Sequence, residues 1–211
     1  PTYKDHCGIA SIKWIYKCPK THTAWMEAVG RFIHEYKRNI TDFLEFVTPY
    51  TGIELAESLQ STESVWMTII TMWESVITVI EEGLPIPPWM NKIYPQPITF
   101  LAEQMLRASS VGSDTQIRYV AGEYFKEVVS LMRAKIEGTL RPDRRMFYFS
   151  GHDGTLIGIL GVLGLAEDPS GRLNARTGSA LILELHKNLR TEIFYVQVLY
   201  IDGAAPDLEP L

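Results

Sequence analysis

His152 and Asp153 stand side by side between an aromatic run, Phe147-Tyr148-Phe149, and a glycine-punctuated apolar stretch over 154–165. If Phe147–Phe149 is a strand, Ser150 and Gly151 end it, and the pair lies where the chain turns into the next helix. Ligands of open α/β sheets collect outside the carboxyl ends of strands, and the first turn of a helix offers free N–H groups and a positive dipole end to an anion. An imidazolium can hydrogen-bond an anionic oxygen, and a neighbouring carboxylic acid can protonate a leaving group. The pair therefore suits acid-side chemistry on a phosphate or carboxylate. A plainer role is equally open at this point, with Asp153 only capping the helix and His152 only ending a strand.

Other catalytic templates fit less well. Ser150 lies outside any Gly-x-Ser-x-Gly elbow, and a serine and histidine two apart at a turn are not preset as nucleophile and base. A metal-dependent His-Asp hydrolase needs further ligands on facing helices. His22 and His34 lie among amphipathic residues and read as solvated surface histidines. No metal and no cofactor is expected.

The elements that must position the pair follow from periodicity. Trp25, Val29, Phe32, Ile33 and Tyr36 recur at spacings of three and four and predict a helix from about Thr21. Further helices are predicted over Ile40 to Val47, Ser64 to Glu81, Ile98 to Ala108 and Gln116 to Ile136, the last with Asp114 as its N-cap. Pro49 and Gly52 end the second, and the proline-rich 85–97 is a rigid connection after the third. Then the period changes. "MFYFSG", "GSALILELH" and "TEIFYVQVLYI" predict strands, with a helix over 154–164 between the first two. A strand, helix, strand order predicts part of an α/β sheet beside a helical region.

Composition limits the function classes. The 211 residues are 46% hydrophobic, enough for a substantial core, and carry a formal net charge of −5 with an isoelectric point near 5.6. Without a basic stripe, nucleic acid is not an expected partner. The longest apolar stretch, Val65 to Ile80, contains Glu74 and reads as a core helix, so no transmembrane segment is expected. Cys7 and Cys18 could bridge each other, remain free or pair outside the chain, and their spacing does not choose. Asn39-Ile40-Thr41 is a glycosylation sequon for a chain that passes through the secretory pathway.

"FYFSGHDGTLIGILGVLGL" resembles the carboxyl-terminal His-Asp segment of the histidine acid phosphatases, the family of prostatic, lysosomal and insect venom acid phosphatases. The resemblance is colinear from Cys18 onward. "KCPK" resembles the Cys-Pro that opens the family's helical region, "WESVITVIEEGLPIPPWM" its Glu-Ser segment, and "IRYVAGEYFKEVVSLM" its Arg-x-x-Gly-Gly helix with Ala121 replacing one glycine. "GSALILELHKN" and "IFYVQVLYIDG" resemble the strands after the His-Asp helix.

The resemblance implies a phosphoglycerate-mutase-like α/β domain interrupted by a mainly helical insertion, here 18–112, with 1–17 ending the amino-terminal α/β part and 113–211 carrying its carboxyl-terminal part. It implies a secreted or lysosomal, metal-independent enzyme that hydrolyses phosphate monoesters, and dimerisation is a family property. In that mechanism a histidine of an Arg-His-Gly motif attacks phosphorus, Asp153 protonates the leaving alcohol, and His152 donates to the phosphate. No histidine here follows an arginine, so the nucleophile is absent from these residues. A fragment of a longer enzyme is the expectation, with a catalytically inactive binding or structural relative as its rival. Cys18's partner in the family lies beyond the position of Leu211. Trp73 and Ala180 replace the cysteines of a further family disulfide, and Gly154 replaces a threonine common in relatives.

Overall fold

The computed structural model describes residues 19–166, 175, 177–201 and 203. Cys7 and Cys18 lie outside them. The chain divides into two compact units, one over Ile15–Gln116 and one formed by the terminal parts, with Ile117–Leu211 as its larger share. The inner boundary thus falls at Gln116–Ile117, where 112–113 was expected.

Within the Ile15–Gln116 unit, α1 (Pro19–Glu35) buries Trp25, Ala28, Val29 and Phe32 along one stripe. A turn at Tyr36 separates it from α2 (Lys37–Thr51), which buries Ile40, Phe43, Leu44 and Val47. Pro49 does not end α2 as expected, because the helix runs to Thr51 with the proline in its last turn. Gly52 ends it at φ 70°, a left-handed conformation suited to glycine, and its N–H returns to the Thr48 carbonyl at 3.2 Å. A short α3 (Leu55–Ser58) leads to α4 (Thr62–Glu81), whose N-cap Ser61 accepts from the Ser64 N–H at 3.1 Å.

Helix α4 is long and apolar enough, by length and composition, to cross a membrane. It packs instead against α1 and α5 (Ile98–Val111), burying Val65, Ile69, Ile70, Met72, Trp73 and Val76. It is a core helix, as expected. The proline-rich connection is tied to α2, with Trp89 stacked on Tyr50 at 4.8 Å and Lys92 above the Phe46 ring. At the end of α5, a Cβ on Gly112 would come within 2.7 Å of the Ala28 Cβ and 2.5 Å of the Ala108 carbonyl. Glycine is what permits α1 to approach there.

The expected 116–136 helix forms in pieces: α6 (Asp114–Ile117), a π-helical turn at Arg118–Gly122, and α7 (Glu123–Ile136). Asp114 is not its N-cap. Ser113 takes that part, accepting from the Gln116 N–H at 3.2 Å. In the second unit α8 (Asp153–Val162) packs on the π turn at Gly158, where a Cβ would meet Val120 at 2.7 Å and Ala121 at 3.3 Å.

The sheet is simpler than the expected α/β arrangement. Among the described residues it has two strands, β1 (Ala180–Lys187) and β2 (Phe194–Ile201), paired antiparallel from Ala180↔Ile201 to Lys187↔Phe194. Residues 147–149 form no strand. A three-residue β-prone run becomes a strand only when a neighbour takes its backbone hydrogen bonds, and none of the described residues does so.

Candidate functional site

The local fold around His152 is set by capping. His152 is the N-cap of α8, with extended backbone at φ −108° and ψ 172°, and its carbonyl accepts from Thr155 N–H at 3.0 Å and Leu156 N–H at 3.2 Å. The Thr155 hydroxyl reaches back to accept from the His152 N–H at 3.2 Å, one arm of a capping box. The same threonine walls in Gly151, where an added Cβ would lie 3.0 Å from the Thr155 Cβ. Thr155 was not singled out by sequence reasoning, although a threonine three residues after the turn was the available signal.

Asp153 is therefore the first residue of α8 and not its cap. Its Oδ1 accepts from the Gly154 N–H at 2.6 Å. The helix dipole favours its carboxylate at that end. His152 is exposed and Asp153 half-buried. The structure thus brings the two residues together at one helix start, with the imidazole open to a ligand and the carboxyl held by its own backbone.

Behind them, the 146–150 segment alternates. Met146 and Tyr148 are exposed, while Phe149 meets Tyr124 of α7 edge to face at 4.8 Å. Burial first, and Glu127 second, push the Tyr124 hydroxyl above its ordinary value of 10.0. This contact anchors the run leading into His152 to α7.

The other sequence candidates belong to other elements. Asn39 is exposed in the first turn of α2. His22 sits on α1, 3.6 Å from Glu63 and stacked beside Trp25, and His34 is exposed on the same helix. His186 belongs to β1, where its Nε2 lies 2.9 Å from Glu184 Oε2 and its ring stacks on Tyr195 at 5.2 Å. Among the described residues, no three histidine, cysteine or acidic side chains are grouped as a metal site requires.

Comparisons with protein-family models, curated proteins and solved structures find no match to this chain.

Proposed function

We propose that this chain supplies the acid half of a phosphomonoesterase site of the histidine acid phosphatase type, completed by a nucleophilic histidine outside these 211 residues. The observation that carries the reading is the placement of His152 and Asp153 as N-cap and first residue of α8, where the positive end of the helix dipole favours a bound phosphate. In this reading His152 holds a phosphate oxygen, and Asp153 gives its proton to the departing alcohol as the phosphoryl group moves to the nucleophile. Water then releases phosphate from the phosphohistidine.

The hairpin supports the same assignment. β2, "FYVQVLYI", has Gln197 as its one polar residue, yet all eight of its residues are exposed. Strands apolar on both faces belong inside a layered α/β sheet with helices over it. The exposed sequon at Asn39 fits a secreted or lysosomal protein.

In the complete enzyme, Asp153→Asn lowers turnover of alkyl phosphates by about 10²-fold or more, the range of general acid catalysis. Aryl phosphates, whose leaving groups depart without a proton, lose far less. Equal losses on both substrates, in steady-state assays, exclude Asp153 as the acid. A second reading, an inactive relative, rests on the absence of any Arg-His pair. Sequencing the transcript upstream of Pro1 separates the two: an in-frame Arg-His-Gly supports the enzyme, and a start codon near Pro1 supports the inactive form.

A further inference from the structure

Two pairs of consecutive basic residues occur in the chain, Lys37-Arg38 and Arg144-Arg145. Residue type does not rank them, but their backbones differ. Lys37 and Arg38 open α2, one residue after α1 ends. The Tyr36 N–H donates to the Phe32 carbonyl at 2.9 Å, and the Ile40 N–H donates to the Tyr36 carbonyl at 2.9 Å, so helix holds this pair on both sides. The Arg38 guanidinium also lies 3.8 Å from Asp42.

Arg144 and Arg145 stand in the stretch that joins α7 to α8. From Arg141 to Gly151 no backbone group is hydrogen-bonded to another backbone group among the described residues. Residues 141–146 are all exposed, Met146 at 76%. Neither arginine side chain forms a hydrogen bond or ion pair among the described residues. Asp143, the carboxylate beside them, is ion-paired with Lys135. The stretch is tied at its two ends. On one side the Arg141 guanidinium donates to the Gly138 carbonyl at 2.9 Å and the Leu140 carbonyl at 2.8 Å, and on the other Phe149 meets Tyr124 at 4.8 Å.

We propose that the Arg145–Met146 bond is a processing site for an endoprotease that reads two consecutive basic side chains. Carboxylate-lined pockets in such a cleft take guanidinium groups through paired N–H donors, and the substrate backbone adds to the cleft as an extended strand. Water adds across the peptide bond, whose C–N link breaks, leaving a carboxylate on Arg145 and an amino group on Met146. Exposed loops are where such cleavage concentrates, and 142–148 offers its backbone without prior unfolding. Lys37-Arg38 must first leave its helix. Opening there uncovers Ile40, which is 1% exposed, and the burial lost lowers the open population on the order of tenfold or more. The Phe149–Tyr124 contact and the packing of α8 on the π turn bridge the cut, so the cleaved protein keeps α8 against α7. The site is independent of any phosphatase activity.

The test digests the full chain with a subtilisin-type endoprotease specific for paired basic residues and reads the products by mass spectrometry and amino-terminal sequencing. The expected products are 1–145 and 146–211, the second starting at Met146, formed about tenfold or more faster than any product of cleavage after Arg38. Arg144→Gln, at an exposed position, slows the cut after Arg145 about tenfold or more with unchanged circular dichroism. Cleavage first after Arg38, or an Arg145–Met146 bond that resists the protease, overturns the proposal. So does an equal rate for Arg144→Gln, because the two arginines are then not read as a pair. The protein isolated from its natural source carries a Met146 amino terminus, and a bond intact throughout that material overturns the proposal as well.

Discussion

Single side chains in this protein hold backbone groups that helices leave over. Gln116 is fully buried, and its Nε2 donates to the carbonyls of Ala108 at 2.8 Å and Ser109 at 3.0 Å, while its Oε1 accepts from Ser113 at 3.0 Å. Those carbonyls belong to the last turn of α5, so a buried helix end is satisfied by one amide. Gln116→Ala leaves them unpaired and lowers stability by about 1–3 kcal/mol in urea unfolding, more than a surface truncation does. Asp143 presents a pH-dependent case. Its hydrogen bond to Lys135 comes first, followed by the charges of Lys135, Arg141 and Arg145, and together they depress its carboxyl below 3.8. A depressed acid contributes stability above its unfolded value and loses it as pH falls through the lower folded value. The contribution is therefore present at neutral pH and disappears below about pH 3.8, and exposure keeps it small. The expected outcome in an NMR titration is an Asp143 carboxyl that titrates below 3.8, with Lys135→Gln returning it toward that value. No change in the variant excludes the ion pair as the cause.

At the scale of elements, the approach of α8 to the π turn decides how His152 and Asp153 are carried. Gly158 is buried, and the absence of its Cβ is what lets α8 lie against Val120 and Ala121. Val120 is β-branched and stiff, so it cannot easily rotate away. Gly158→Ala overpacks this contact and costs about 1–3 kcal/mol, which thermal unfolding reads as a lowered Tm. A rise in Tm would mean that α8 shifts freely and that the contact does not position the pair. The apolar periodicity of α1, α2, α4 and α5 was readable because each buries a stripe at helical spacing. The π turn was not, since Arg118–Gly122 carries the same amphipathic pattern as the helix on either side. Strand order was the other failure. Phe147–Phe149 has β-prone side chains, but β structure is a property of two strands, and "GSALILELH" and "TEIFYVQVLYI" found each other across a short turn.

For the whole molecule, two units share one chain but not one kind of order. The helical unit has a closed core, with Ile40, Leu44, Ile69, Ile98, Leu101 and Met105 essentially without exposure. The other unit keeps a helix start bearing the His-Asp pair and a hairpin whose second strand is exposed throughout. The phosphatase reading makes that hairpin part of a larger sheet and the pair half of a site. Residues 133–145, in the same unit, carry a net charge of +3 against −5 for the whole chain.

Sequence by itself determined which residues could do acid chemistry, where the helices run and which faces they bury. These depend on local periods, turn residues and side-chain pKa classes, all written in short windows. Tertiary structure alone decided that His152 caps and Asp153 follows, that Ser113 replaces Asp114 as a cap, and that α8 rests on a glycine. Each depends on which backbone groups are left without a partner and on how closely two elements approach, and neither is encoded at a fixed spacing.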